Sequence, residues 1–143
     1  MNVAGMLKEK GNAVETVRPE TLLSEAAQTL ADKRIGALVV TDEQGAIVGI
    51  LSERDMVRAV SKRGAACLTC TASEFMTSPV VTCGMQETVT GLMETMTANK
   101  FRHLPIVEDG ELLGIVSIGD VVKRRIAEAE FEAEEMKRYI ASN

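Results

Sequence analysis

A chain of 143 residues is long enough for one ordinary domain, or for two small halves that share a core. Apolar residues make up 45% and charged residues 26%, a soluble globular balance, while 3% aromatics and no Trp leave the core to Val, Ile, Leu, Met and Ala. A formal net charge of -5 speaks against a nucleic-acid surface and leaves room only for a local basic pocket, and no apolar run approaches the ~18 residues of a membrane span.

Taken in chain order, "MNVAGMLKEKG" has no apolar h-region with a cleavage site, so residues 1–13 read as an N-terminal segment rather than a secretory leader. Three cysteines, an odd number, fit a reducing cytoplasm better than a disulfide scaffold. A short extended piece, "AVETV", then leads into "TLLSEAAQTLADKR", where Leu22, Ala26 and Leu30 recur at helical spacing. The run "ALVV", the Gly-containing turn "TDEQGA" and the strand "IVGIL" read as a hairpin, and a helix begins at Ser52 or just after it.

After a linker over 67–79 the same grammar returns: "PVVTC", a helix over "TVTGLMETMTANKF", the strands "LPIV" and "LLGIV", and a helix from Ser117. Ser52 and Asp55 are separated from Ser117 and Asp120 by the same interval. In the helices Leu22 is matched with Val89 and Ala26 with Met93, and Ile35 and Gly36 fall opposite Arg102 and His103. The fold expected is α+β: two tandem β-α-β-β-α repeats, 14–66 and 80–126, related by a pseudo-twofold axis. A long C-terminal helix extends over 127–143, with Val122, Ile126, Ala129, Ala133, Met136 and Ile140 in one apolar stripe. A stripe that outruns its module needs cover, and a homodimer contact is the reading preferred over folding back.

Each repeat carries Gly-h-h-Ser-x-x-Asp, where h is apolar. Such a serine and acid fit a helix capping box, which needs no ligand. The same junction also presents free N–H groups to an anion, with a carboxylate one turn on that can accept from the hydroxyls of a ribose. Gly119 removes a side chain where a ligand would approach, at about 1 kcal/mol of helix stability relative to Ala. In the first copy Glu53 would repel phosphate and Arg54 attract it. Arg102 and His103, the only histidine, are either edge or structural residues, or a fork and donor for a phosphate.

Cys67 and Cys70 form a CxxC without the second ligand pair that a structural zinc requires, and read as small apolar fillers. No nucleophile, base and orienter assemble around one histidine, so no enzyme, metal or required cofactor is expected.

With both motifs and the repeat in hand, the blocks "GALVVTDEQGAIVGILSERD", "EFMTSPVVTC" and "FRHLPIVEDGELLGIVSIGD" resemble a tandem pair of cystathionine-beta-synthase (CBS) domains, the Bateman module, of the stand-alone bacterial kind. The resemblance implies a module, commonly dimeric, whose clefts between repeats bind adenosine compounds: AMP, ADP, ATP, NAD(H) or S-adenosylmethionine. It implies that Asp55 or Asp120 holds the ribose, that Ser52 or Ser117 faces phosphate, and that Arg102 and His103 reach phosphate. Ile50 and Ile115 would line the adenine pocket, and Thr16, Val17, Val81 and Thr82 would border a cleft. The function expected is a cytoplasmic ligand sensor that signals by conformational change to a regulated protein. The alternative is a structural interaction module with no physiological nucleotide.

Overall fold

The computed structural model describes residues 1–142. The helices are α1 (Val3–Lys10), α2 (Leu23–Lys33), α3 (Glu53–Arg63), α4 (Ala72–Phe75), α5 (Val89–Asn99) and α6 (Ile118–Ser142). The strands are β1 (Thr16–Val17), β2 (Ala37–Thr41), β3 (Ile47–Ser52), β4 (His103–Glu108) and β5 (Glu111–Ser117), and a 3-10 turn spans Gly64–Thr69. Mixed helix and strand in two repeats, with a long terminal helix, is the architecture the sequence leads one to expect.

The chain divides into two compact units. One holds residues 13–82 with 109–112. There β1 runs parallel to β2, and β2 pairs antiparallel with β3 so that Ala37 faces Ser52 and Val39 faces Ile50. Leu38, Val39 and Val40 of β2 are wholly buried, which is why the strand reads as a continuous apolar run rather than an alternating one. Leu23, Ala26 and Leu30 of α2, Leu51 of β3 and Ala59 of α3 complete this core, each large aliphatic side chain contributing roughly 1.5–3 kcal/mol of burial. The stretch 67–79 carries part of the 3-10 turn and α4, and it buries Cys67, Cys70, Ala72 and Phe75 in the same core. Cys67 and Cys70 are therefore apolar filler here, as their composition suggested.

The other unit holds residues 1–12, 83–108 and 113 onward. The hairpin β4–β5 is joined in parallel by Cys83, which bridges Ile106 as β1 does β2 in the first copy. Burial pushes the Cys83 thiol up to about 11, with Glu87 adding to the shift, so it stays protonated at neutral pH. Val89, Leu92 and Met96 form the buried face of α5.

That face corrects the helix alignment by one residue. The N-caps are Leu22 and Thr88, the buried triads are Leu23, Ala26, Leu30 and Val89, Leu92, Met96, and the left-handed C-caps are Arg34 and Lys100. Gly36 and Arg102 each accept the first N–H of the following helix, from Glu53 at 3.0 Å and Ile118 at 2.7 Å. Arg102 therefore matches Gly36, and His103 matches Ala37. The extra residue of the first copy lies in its longer hairpin, beside an irregularity between Val40 and Thr41.

The segment 1–10, given no element on sequence grounds, is a helix with a repeat partner. Val3 N donates to Glu87 O and Ala4 N to Met85 O, as Ala72 N donates to Thr21 O and Ser73 N to Pro19 O. Val89 N reaches Met1 O as Leu23 N reaches Cys70 O. Thus α1 completes the second copy as α4 completes the first. The match also explains the motif glycine. A Cβ on Gly114 would stand 2.9 Å from Leu7 Cδ2, and one on Gly49 would collide with the Met76 side chain. Each glycine lets its helix lie directly on the strand.

Candidate functional site

Each motif forms at a strand-to-helix junction, where the first N–H groups of the helix lack intrahelical partners. In the first copy Ser52 Oγ accepts from Asp55 N at 3.3 Å and Asp55 Oδ2 accepts from Ser52 N at 2.9 Å, a complete capping box. In the second, Ser117 Oγ accepts from Asp120 N at 3.1 Å and Asp120 Oδ2 accepts from Ser117 N at 2.8 Å. The capping role holds in both copies. What separates them is the rest of each carboxylate.

Asp55 is 4% exposed. Its Oδ2 also accepts from Ser52 Oγ at 3.0 Å, and its Oδ1 accepts from Arg58 Nη2 at 2.9 Å and Thr77 Oγ1 at 3.1 Å. Thr77 also pairs its backbone with Ile50 in both directions, at 2.8 and 3.0 Å. The first copy's aspartate and the adjoining strand backbone are therefore engaged by the chain itself. Arg54 lies exposed in the first turn of α3, Thr16 and Val17 make the parallel pairing to Val39 and Val40, and Val81 and Thr82 are half-buried and exposed respectively.

In the second copy the Asp120 side chain is 27% exposed. Lys10, at the end of α1, donates from Nζ to Asp120 Oδ2 at 2.5 Å and to Ile115 O at 2.7 Å. Lys10 Nζ and Ser117 N thus both donate to the same oxygen, Asp120 Oδ2. Burial alone would raise the Asp120 carboxyl, but the Lys10 ammonium and the Ser117 N–H outweigh it and hold the group below its ordinary value. Arg102 and His103 open β4 at the same end of the hairpin where Ser117 closes β5, so these residues and Asp120 gather around the start of α6. The Arg102 side chain is exposed and His103 is half-buried. A Cβ on Gly119 would meet only Ser117 Oγ, at 3.5 Å, so packing does not require a glycine there.

Lys10, Thr77 and Arg58 are the participants the sequence reading missed. The signal for the first two is the weak repeat between "VAGMLKEK" and "ASEFMTSP", which is scrambled in order because one copy precedes its unit and the other follows it.

No described helix is long and apolar enough to cross a membrane, and no group of three or more His, Cys, Asp or Glu among the described residues is arranged to hold a metal.

The chain is similar to known proteins in sequence and in fold. A 17.7 kDa protein of Acidianus ambivalens is 39% identical over 111 residues, which cover 77% of this chain and 66% of that one. The chain thus spans just under two thirds of that relative's length. The structure of a CBS-domain containing protein from Agrobacterium tumefaciens matches with a TM-score of 0.85 and 50% identity, covering 87% of this chain and 99% of the other. A CBS domain protein from Pyrobaculum aerophilum, complexed with AMP, matches at 0.74 with 29% identity, over 84% and 89% of the chains. The CBS domain pair of protein MJ0100, in complex with 5-methylthioadenosine and S-adenosyl-L-methionine, matches at 0.80 with 26% identity, over 90% and 98%. The CBS domain itself matches twice, at residues 11–62 and 72–127, so the chain belongs to the CBS-domain family and carries the domain as a tandem pair.

Proposed function

We propose that the second CBS copy binds an adenosine-containing ligand at the start of α6, and that the protein is a non-catalytic sensor whose occupancy is read by a regulated protein in the cytoplasm. The observation that carries this reading is the difference between the two aspartates. Asp55 is buried under four protein donors, whereas the Asp120 side chain is 27% exposed near Ser117, Gly119, Arg102 and His103. The AMP, methylthioadenosine and S-adenosylmethionine complexes of similar CBS pairs support the adenosine part. Asp120 would hold the ribose hydroxyls, Ser117, Arg102 and His103 the phosphate, and Ile115 the base. In the first copy Asp55, Ser52, Arg54, Ile50, Thr16, Val17, Val81 and Thr82 would serve only after Thr77 gives way. The test is a thermal-shift and calorimetric series with AMP, ATP, NADH and S-adenosylmethionine. A ligand at a hundred times its dissociation constant should add about 2.7 kcal/mol to the stability of the folded chain. Silence with all four would leave both motifs as helix caps and favour the interaction-module reading.

The dimer belongs to the same proposal. From Ala129 onward every described residue of α6 is exposed, over roughly 20 Å of helix. Ile126, Met136 and Ile140, at 54%, 61% and 68% exposure, lie on one stripe with Ala129 and Ala133. A second copy laying the same stripe alongside would cover both. Ending the chain after Ala127 is expected to shift the protein toward monomer in sedimentation velocity. An unchanged dimer in the shortened chain would remove α6 from the interface.

A further inference from the structure

Lys10 stands where the ligand is expected, and its counterpart in the first copy shows what that position does. The helix starting at Ala72 stops after one turn, and Thr77 turns back to pair with Ile50 and donate to Asp55. The equivalent helix α1 continues to Lys10, which replaces Thr77 by donating to Ile115 O and to Asp120. Both copies therefore fill the same two positions, the motif aspartate and the backbone of the strand before it. In the first copy the filling group is the main chain and a short hydroxyl. In the second it is an ammonium on a flexible stem, 32% exposed at the side chain.

The buried face of α1 is fixed. Val3, Met6 and Leu7 are buried, Leu7 packs on Gly114, Asn2 caps the helix on Gly5 N, and Glu9 pairs with Arg124 at 2.7 Å. The Lys10 side chain can leave without disturbing the core, since it can swing into solvent about its own torsions.

Resting on the adenosine reading above, we infer that Lys10 is an internal occupant of the second copy's ligand position and a determinant of its specificity. A ligand must displace the ammonium from Asp120 and Ile115. A ligand that carries phosphate offers the displaced ammonium a new partner, whereas a neutral nucleoside does not. Lys10 thus selects against adenosine and for its phosphate esters, using one group to impose the cost and recover it.

Calorimetric titration of adenosine and AMP into wild type, Lys10→Met and Lys10→Arg separates the outcomes. In Lys10→Met, adenosine should bind roughly three- to tenfold more tightly, while AMP shows no gain, so its advantage over adenosine shrinks. Lys10→Arg keeps the charge and should keep the wild-type order. Adenosine binding that is unchanged or weaker in Lys10→Met, with wild type binding AMP, would overturn the role of Lys10 and leave the site standing. No binding of either compound to any of the three proteins would overturn the adenosine reading and this inference with it. The site lies away from the core contacts of α1, and circular dichroism of each variant checks that α1 and α6 remain folded.

Discussion

Asp55→Ala is expected to destabilise the folded chain by about 3 kcal/mol, the sum of a lost capping box and of buried donors left without a partner. The carboxylate is nearly inaccessible and accepts from Ser52 twice, from Thr77 and from Arg58. Arg58 is the least affected of these. It is 47% exposed at the side chain and keeps its bond to Phe75 O at 2.7 Å, so its charge is counted only weakly. The main loss falls on the Ser52 N–H and the Thr77 hydroxyl, which hold the end of β3 to the segment leaving α4. Urea unfolding should show a lower midpoint at unchanged slope, and the thermal midpoint should fall by roughly 6–12 °C. Asp55→Asn keeps one acceptor and should lose about half as much. A loss under about 1 kcal/mol in Asp55→Ala would mean that water replaces the carboxylate without cost, and that the first copy is open to ligand after all.

Asp120→Ala should behave in the opposite way: modest in stability, large in affinity. It removes a second capping box, worth about 1 kcal/mol. Under the proposed function it also removes charge-assisted acceptors for a ribose, so adenosine ligands should bind roughly ten- to a hundredfold more weakly. Isothermal titration on a variant shown to be folded decides it, and unchanged affinity would take Asp120 out of the site. The pH dependence gives an independent check. Because the folded carboxyl lies below its ordinary value near 3.8, the group stabilises the fold fully at neutral pH. That contribution fades as pH falls through the folded value, so wild type should lose more stability than Asp120→Ala on acidification into that range.

Much of this arrangement was readable in the residues. The duplicated Ser-x-x-Asp spacing led to both helix starts, and the β-branched runs led to both hairpins. The helix register slipped by one because Met93 and Leu92 are both apolar, and only burial distinguishes the core residue from its half-buried neighbour. The two aspartates look identical in sequence, since what separates them is contributed by Thr77 and Lys10 from outside either motif. Nothing near Lys10 announces a site. Its role depends on α1 running one turn further than α4, to a C-cap at Gly11 rather than at the residue matching Met76, and that difference lies far in sequence from Asp120.

The pairing of α1 with the second copy also bears on the order of synthesis. All parts of the first copy lie within residues 13–82 and the short piece 109–112, so nearly everything it needs has left the ribosome before residue 83 is made. The second copy is made from segments on both sides of the first. Val3, Met6 and Leu7, emitted ahead of the first copy, have no cover until β4, β5 and α5 follow. Closing residue 3 onto residue 87, rather than 21 onto 72, costs only about 0.4 kcal/mol more in loop entropy, so equilibrium stability hardly registers the difference. Time does. The nascent α1 must wait through the whole of the first copy with its apolar face bare, and that interval is when a chaperone, or a neighbouring chain's unfinished second copy, would find it.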